Sequence, residues 1–206
     1  MFVKICGITR EADAEAAVAA GASAIGFIFW PKSPRYVEPA RAAAIVRTLP
    51  PFVTPVGVFV NESVERMNGV ADTVGLGAVQ LHGDEGPMLL NGINRPVVKA
   101  VGRVDAEAGV GWPDRVILLV DAYDPERRGG TGMRADWDAA AVLAASRRIL
   151  LAGGITPANV LEAVTRVRPF GIDVSSGVED APGIKNAGRI GELFEALRDS
   201  SAKLNA

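Results

Sequence analysis

The chain has 206 residues, 49% hydrophobic and 22% charged, enough for a substantial core and ordinary for a soluble globular protein. Its 22 basic and 24 acidic residues are mixed along the sequence for a net charge of −2, which excludes an electrostatic nucleic-acid binder and leaves a small anionic ligand open. A single cysteine and a single histidine exclude an internal disulfide and a histidine-rich metal cage, and fit a cytoplasmic setting.

Taken in order, the chain alternates short β-branched or aromatic runs with alanine-rich segments of helical period. The first strand is expected at 2–8 (FVKICGI), carrying the only cysteine, Cys6, just before a glycine. Its apolar run is too short for a secretory signal, and acids follow at once in a helix expected at 10–21. A second strand at 24–30 (AIGFIFW) runs into the loop PKSPRY at 31–36, followed by a helix at 39–49. The uncharged stretch from Ala16 to Pro31 falls short of a spanning helix and is broken by Gly21 and Gly26, so no membrane segment is expected.

The third strand is expected at 55–61 and its helix at 63–75, with Ser63 as N-cap. The fourth strand, AVQLHG at 78–83, leads into a segment at 84–95 fit only for a short or irregular helix. A fifth strand at 96–102 is followed by an equally weak segment at 103–114. The sixth strand is VILLVDAY at 116–123, with a helix at 137–148. A seventh, ILLAGGI at 149–155, precedes a helix at 156–167 with Thr156 as N-cap and Pro157 at the first helical position. The eighth strand, at 172–178, precedes a last helix at 187–200.

Most of these strands are apolar without strict alternation, as in a parallel sheet covered on both faces. Eight strand–helix units of roughly 26 residues each fit a compact (β/α)8 barrel, which needs about 200 residues at its smallest. A doubly wound open sheet is the rival. A weak internal echo, GASAIGF from Gly21 and GLGAVQL from Gly75, lies two units apart and favours the closed ring. No linker-like segment divides the chain, so the expectation is an α/β fold with one (β/α)8 TIM-barrel domain over residues 1–206.

In such folds ligands bind beyond the C-terminal ends of the strands, and the polar groups of this sequence gather there. Gly153 and Gly154 after the seventh strand, with Ser175, Ser176 and Gly177 after the eighth, can turn backbone N–H groups toward an anion. The alternative is two tight turns. A third glycine-rich loop, GGTG at 129–132 with Gly129 and Gly130, could close over the same ligand. Cys6 and Asp121 end strands on nearly opposite sides of a barrel, where a thiolate could take a proton and a carboxyl group could give one. That task needs a thiol pKa lowered from about 8.5 and a carboxyl pKa raised from about 3.9. The plainer readings are a small buried hydrophobe for Cys6 and, for Asp121, a solvated carboxylate or a partner of Arg127 or Arg128. Arg35 could fork onto a ligand carboxylate or sit at the surface. Gln80 and His82 share a strand face, with His82 more an orienting group than a base. Lys4 and Asp173 are inward candidates that a core ion pair would explain.

With these residues assembled, the chain resembles the phosphoribosylanthranilate isomerase family of tryptophan biosynthesis from Val3 to Gly183. The resemblance rests on KICGIT (4–9), GFIFWPKSPRYV (26–37), VGVFVN (56–61), AVQLHG (78–83), VDAYDPERRGGTG (120–132), LAGGITPANV (151–160), DVSSGVE (173–179) and PGIK (182–185), in that order. It implies an Amadori rearrangement of N-(5-phosphoribosyl)anthranilate to 1-(2-carboxyphenylamino)-1-deoxyribulose 5-phosphate. Carried over by motif, Cys6 is the general base and Asp121 the general acid. Arg35 would hold the anthranilate carboxylate, with His82 also at the substrate. The backbones around Gly153, Gly154, Ser175, Ser176 and Gly177 would hold the phosphate under the loop of Gly129 and Gly130. No metal and no organic cofactor is implied, because the substrate's own nitrogen is the electron sink. One extra residue between Asp121 and the GGTG loop, and two arginines in it, depart from the family pattern.

Two rival readings remain on the sequence. A histidine-pathway isomerase would want a second phosphate site, where VNES and LHGDE supply acids instead. A catalytically silent phosphosugar-binding barrel would be expected to have lost Cys6 or Asp121. The expected partner is a small phosphorylated substrate, with no nucleic acid or membrane. A monomer is favoured, with a homodimer as the alternative.

Overall fold

Side chains branched at Cβ or apolar on both faces make strands that must be covered on both sides, and this chain provides the cover with helices. The computed structural model describes residues 1–102, 109–122 and 134–204. The elements run β1 (Phe2–Cys6), α1 (Glu11–Ala20), β2 (Ala24–Ile28), α2 (Pro39–Val46), β3 (Thr54–Phe59), α3 (Val64–Val74), β4 (Ala78–Leu81), a 3-10 turn (Pro87–Asn91), β5 (Val97–Val101) and β6 (Ile117–Val120). They continue with α4 (Trp137–Ser146), β7 (Ile149–Leu151), α5 (Val160–Val167), β8 (Gly171–Val174), a 3-10 turn (Ser176–Val178), β9 (Glu179–Ala181), β10 (Ile184–Lys185) and α6 (Ala187–Leu204).

Strands β1 to β8 pair in sequence order, all parallel, and β1 pairs back onto β8 to close the barrel. The open-sheet alternative is thereby excluded. The closing register sets Lys4 opposite Asp173, and on the other side β1 sets Cys6 opposite Gly26. Short β9 and β10 form an antiparallel hairpin between β8 and α6, an element the sequence pattern did not suggest.

Alternation along the strands divides the core in two. Outward residues such as Ile5, Phe27, Leu81, Leu118 and Ile149 are buried against the helices. Each such side chain contributes about 1.5–3 kcal/mol by leaving water. Inward residues fill the barrel floor, Phe2 with Ala24, Val56 and Ala78 on one side and with Leu119, Leu150 and Ala152 on the other. The same parity carries Lys4, Cys6, Gln80, Asp121 and Asp173 toward the barrel's interior and upper rim.

Helix ends follow local chemistry. Ser63 caps α3 by accepting from the Arg66 N–H at 3.2 Å, as its sequence position suggested. The expected cap at Thr156 is corrected: α5 starts at Val160 with Asn159 as N-cap. The Asn159 side chain takes the Thr156 N–H at 2.9 Å, and the Thr156 carbonyl accepts from Asn159 and Val160, so a separate turn precedes the helix. The strands also end one to four residues before the apolar runs do, because β-pairing stops where each chain diverges into its loop. Among the described residues no helix is long and apolar enough to cross a membrane.

Candidate active site

The barrel's C-terminal rim is built from β1 outward. Lys4 lies buried one layer below Cys6, its Nζ donating to Asp173 Oδ1 at 2.9 Å across the β1–β8 seam. This is the Asp–Lys core pair foreseen from the strand faces. Burial alone would pull the Lys4 ammonium down, but the Asp173 carboxylate, helped by Cys6, outweighs it and pushes it up overall. For the thiol the balance is reversed. Burial pushes Cys6 up, the nearby Lys4 ammonium opposes that rise, and Asp173 adds to it, so the expected lowering of the thiol is corrected: the shift runs the other way.

Room for both groups comes from Gly26 on β2. A Cβ there would stand 2.8 Å from Cys6 Sγ and 3.0 Å from Lys4 Nζ, so thiol and ammonium share the space a side chain would fill. Gly7, immediately after the cysteine, takes φ +76° and would set a Cβ 2.6 Å from Arg35 Cδ. The glycine lets β1 stop and turn directly behind the thiol.

Across the rim, Asp121 follows β6. Its Oδ1 accepts from the Ala122 N–H at 2.8 Å, and its Oδ2 lies 3.4 Å from His82 Nε2. The imidazole is held in turn by Gln80, whose Nε2 is 2.9 Å from His82 Nδ1. Gln80 and His82 therefore share a face, and that face looks at Asp121 rather than at solvent. Beyond His82 the strand end is fixed by Glu85, which accepts from the Asn61 and Gly83 N–H groups at 2.7 and 2.8 Å and pairs with Lys99 at 2.8 Å.

Arg35 is buried, not a surface arginine. Its Nε and Nη2 fork onto Glu179 of the β9 strand at 2.8–3.1 Å, and Lys185 of β10 meets the same carboxylate at 2.6 Å. Burial tends to raise Glu179, but Arg35 and Lys185 outweigh it and hold the carboxyl below its usual range. Lys185 is held down by burial, against the pull of Glu179. Lys185 Nζ also lies 3.2 Å from the Ser175 carbonyl, which ties this cluster to the eighth strand end. Two basic side chains therefore share this one carboxylate. Glu179 and Lys185 lie within DVSSGVE and PGIK, where the sequence alone suggests no role for them. The signal that could have found them is that a buried arginine demands a carboxylate partner.

The loops after β6, β7 and β8 touch backbone to backbone. A Cβ on Gly177 would lie 1.9 Å from the Ile155 carbonyl oxygen, a distance no side chain can occupy, so glycine is obligatory there. Gly153 and Gly154 both lie at positive φ, and neither donates its N–H to a hydrogen bond among the described residues. Ser175 and Ser176 begin the turn after β8. Gly129, Gly130, Arg127 and Arg128 lie outside the described residues.

Comparison with known proteins bears on this arrangement. Residues 3–196 match the family described as N-(5′-phosphoribosyl)anthranilate (PRA) isomerase. The N-(5′-phosphoribosyl)anthranilate isomerase of Pelobacter propionicus is 48% identical over 204 residues, spanning 98% of this chain and 97% of its own. A phosphoribosyl anthranilate isomerase solved with reduced 1-(o-carboxyphenylamino)-1-deoxyribulose 5-phosphate superposes with TM-score 0.86 at 40% identity, covering 97% of this chain and 99% of that one. Monomers of the dimeric enzyme of Thermotoga maritima superpose with TM-score 0.86 at 39% identity, with the same coverage.

Proposed function

This chain belongs to the N-(5′-phosphoribosyl)anthranilate isomerase family, and we propose that it catalyses the family's aldose–ketose rearrangement with Cys6 as base and Asp121 as acid. The observation that carries the reading is the placement of the molecule's only thiol and a rim carboxylate on the inward faces of β1 and β6, above a buried Lys4–Asp173 pair.

Asp121 gives a proton to the furanose ring oxygen while the anilino nitrogen pushes its lone pair onto C1′, opening the ring to an iminium. The Cys6 thiolate then takes the C2′ proton, and the C–H electrons flow to the cationic nitrogen to leave an enolamine. Protonation at C1′ and loss of the C2′ hydroxyl proton yield the ketone. No atom is gained or lost, and the nitrogen accepts and returns the electron pair.

The substrate carries a carboxylate and a phosphate. The Arg35–Glu179–Lys185 cluster, two basic side chains on one carboxylate and packed beside Gly7, supports holding the substrate carboxylate near Cys6. The N–H groups at Gly153 and Gly154, undonated among the described residues, and the turn of Ser175, Ser176 and Gly177 beside them support a phosphate cradle. His82 stands at Asp121, and its role there is to orient the acid. Conversion of the aldosamine to the ketosamine by purified protein is the direct test. Absence of turnover, with turnover of the histidine-pathway substrate in its place, would overturn the assignment.

Arg35 allows a separate check. Arg35→Ala should lower kcat/KM about ten- to a hundredfold, the worth of a charged hydrogen bond of roughly 1.5–3 kcal/mol. The same substitution strips Glu179 of one of its two basic partners, so the decarboxylated substrate analogue, N-(5-phosphoribosyl)aniline, serves as control. Discrimination between substrate and analogue should vanish in the variant. An equal loss toward both compounds would mean that Arg35 serves Glu179 alone.

A further inference from the structure

An acid that gives up its proton becomes a carboxylate, and the groups around it decide how well that charge is received. Two nitrogens approach the oxygens of Asp121: the Ala122 N–H donates to Oδ1, and His82 Nε2 lies 3.4 Å from Oδ2. The second is a donor only if the proton of the neutral imidazole sits on Nε2. The ring nitrogen that decides this is the other one. Nδ1 meets the side-chain amide nitrogen of Gln80 at 2.9 Å, and an amide nitrogen can only donate. With the amide turned this way Nδ1 is the acceptor, which leaves the hydrogen of the neutral ring on Nε2, toward Asp121.

Gln80 gains little for itself from this position. It is buried in the barrel on β4, and its Oε1 has no hydrogen-bond partner among the described residues. An apolar side chain of the same shape would avoid that uncompensated acceptor. The arrangement makes sense if the amide is there for the ring. Just beyond the ring, Glu85 ties down the strand end through Gly83 and Asn61, so the imidazole is oriented from below by Gln80 and from its own backbone by the rim.

We propose that Gln80 is a positioning residue, holding His82 as the Nε2–H tautomer so that the ring donates to the carboxylate Asp121 becomes on protonating the substrate. The idea rests on the reading of Asp121 as the acid, but its tautomer part does not.

Because the chain has one histidine, nitrogen NMR of protein labelled at histidine reads this ring alone. In the resting enzyme with the ring neutral, Nδ1 should resonate as a bare pyridine-type nitrogen and Nε2 as a protonated one. Gln80→Met should mix the tautomers, lowering kcat about tenfold with KM little changed. Gln80→Glu, which accepts from Nδ1–H, should place a proton on Nδ1. A protonated Nδ1 in the unaltered neutral enzyme, or a Gln80→Met spectrum like the unaltered one, overturns the proposal. Should Gln80→Met fail to fold, Gln80→Glu and the unaltered spectrum still decide it. If Asp121→Asn keeps its activity while the tautomer is as stated, the acid assignment is what falls.

Discussion

Cys6→Ala is expected to lower kcat at least about a hundredfold, the usual worth of a positioned proton-transfer group, with KM little changed. The alanine keeps the apolar character of a buried position and removes only the sulfur, so the barrel should fold. What is lost is the one group on β1 that can accept the C2′ proton. The thiol's environment gives this prediction a pH signature. Burial raises the Cys6 pKa, so most of the resting enzyme holds a neutral thiol, and kcat/KM should climb as pH rises through the thiol's range. Lys4 opposes the rise, so Lys4→Met should move that limb to still higher pH. The same change leaves Asp173 a buried, unpaired carboxylate, which costs about 3–5 kcal/mol of stability and shows as an earlier denaturant midpoint. As the molecule's only thiol, Cys6 can also be followed by its alkylation rate across pH. A near-normal kcat in Cys6→Ala, or an activity profile unrelated to the alkylation profile, would sink the assignment.

Asp121→Asn should match that loss, again at least about a hundredfold in kcat. The amide is nearly isosteric. Its oxygen can still take the Ala122 N–H, so the loop should hold its place. It has no proton acidic enough to give to the ring oxygen. The loss should therefore fall on furanose opening, and a substrate analogue already in the open-chain form should recover most of its rate in this variant. Equal impairment toward closed and open forms would point to a role later in the reaction. A product-bound structure offers an independent check, with Cys6 Sγ near C2′ and the Asp121 carboxyl near the former ring oxygen.

Much of this architecture could be read along the chain. Runs such as FVKICGI and ILLAGGI are apolar on both faces, a pattern that a covered parallel sheet requires, and all eight strands lie within the runs or one residue beyond them. The weak segment at 84–95 holds only the 3-10 turn Pro87–Asn91, as its NGIN sequence suggested. Ser63 capped its helix because the cap is a three-residue event. Thr156 failed as a cap for a similarly local reason that composition does not reveal, competition from the Asn159 side chain.

The candidate chemistry was partly visible as well. Cys6, Asp121, His82 and Arg35 could be picked out as reactive side chains at strand ends. Their partners could not. Lys4 meets Asp173 across 169 residues of chain, and Arg35 meets Glu179 across 144, because β1 closes onto β8 and the hairpin folds back over the rim. Likewise Gly26 is one glycine among 23 until the register sets it against Cys6. Strand and helix periods are properties of neighbouring residues and are written locally. Which charge neutralises which, and how much room a thiol has, depends on ring closure, which brings distant strands within about 5 Å of one another. Only the folded barrel could decide that.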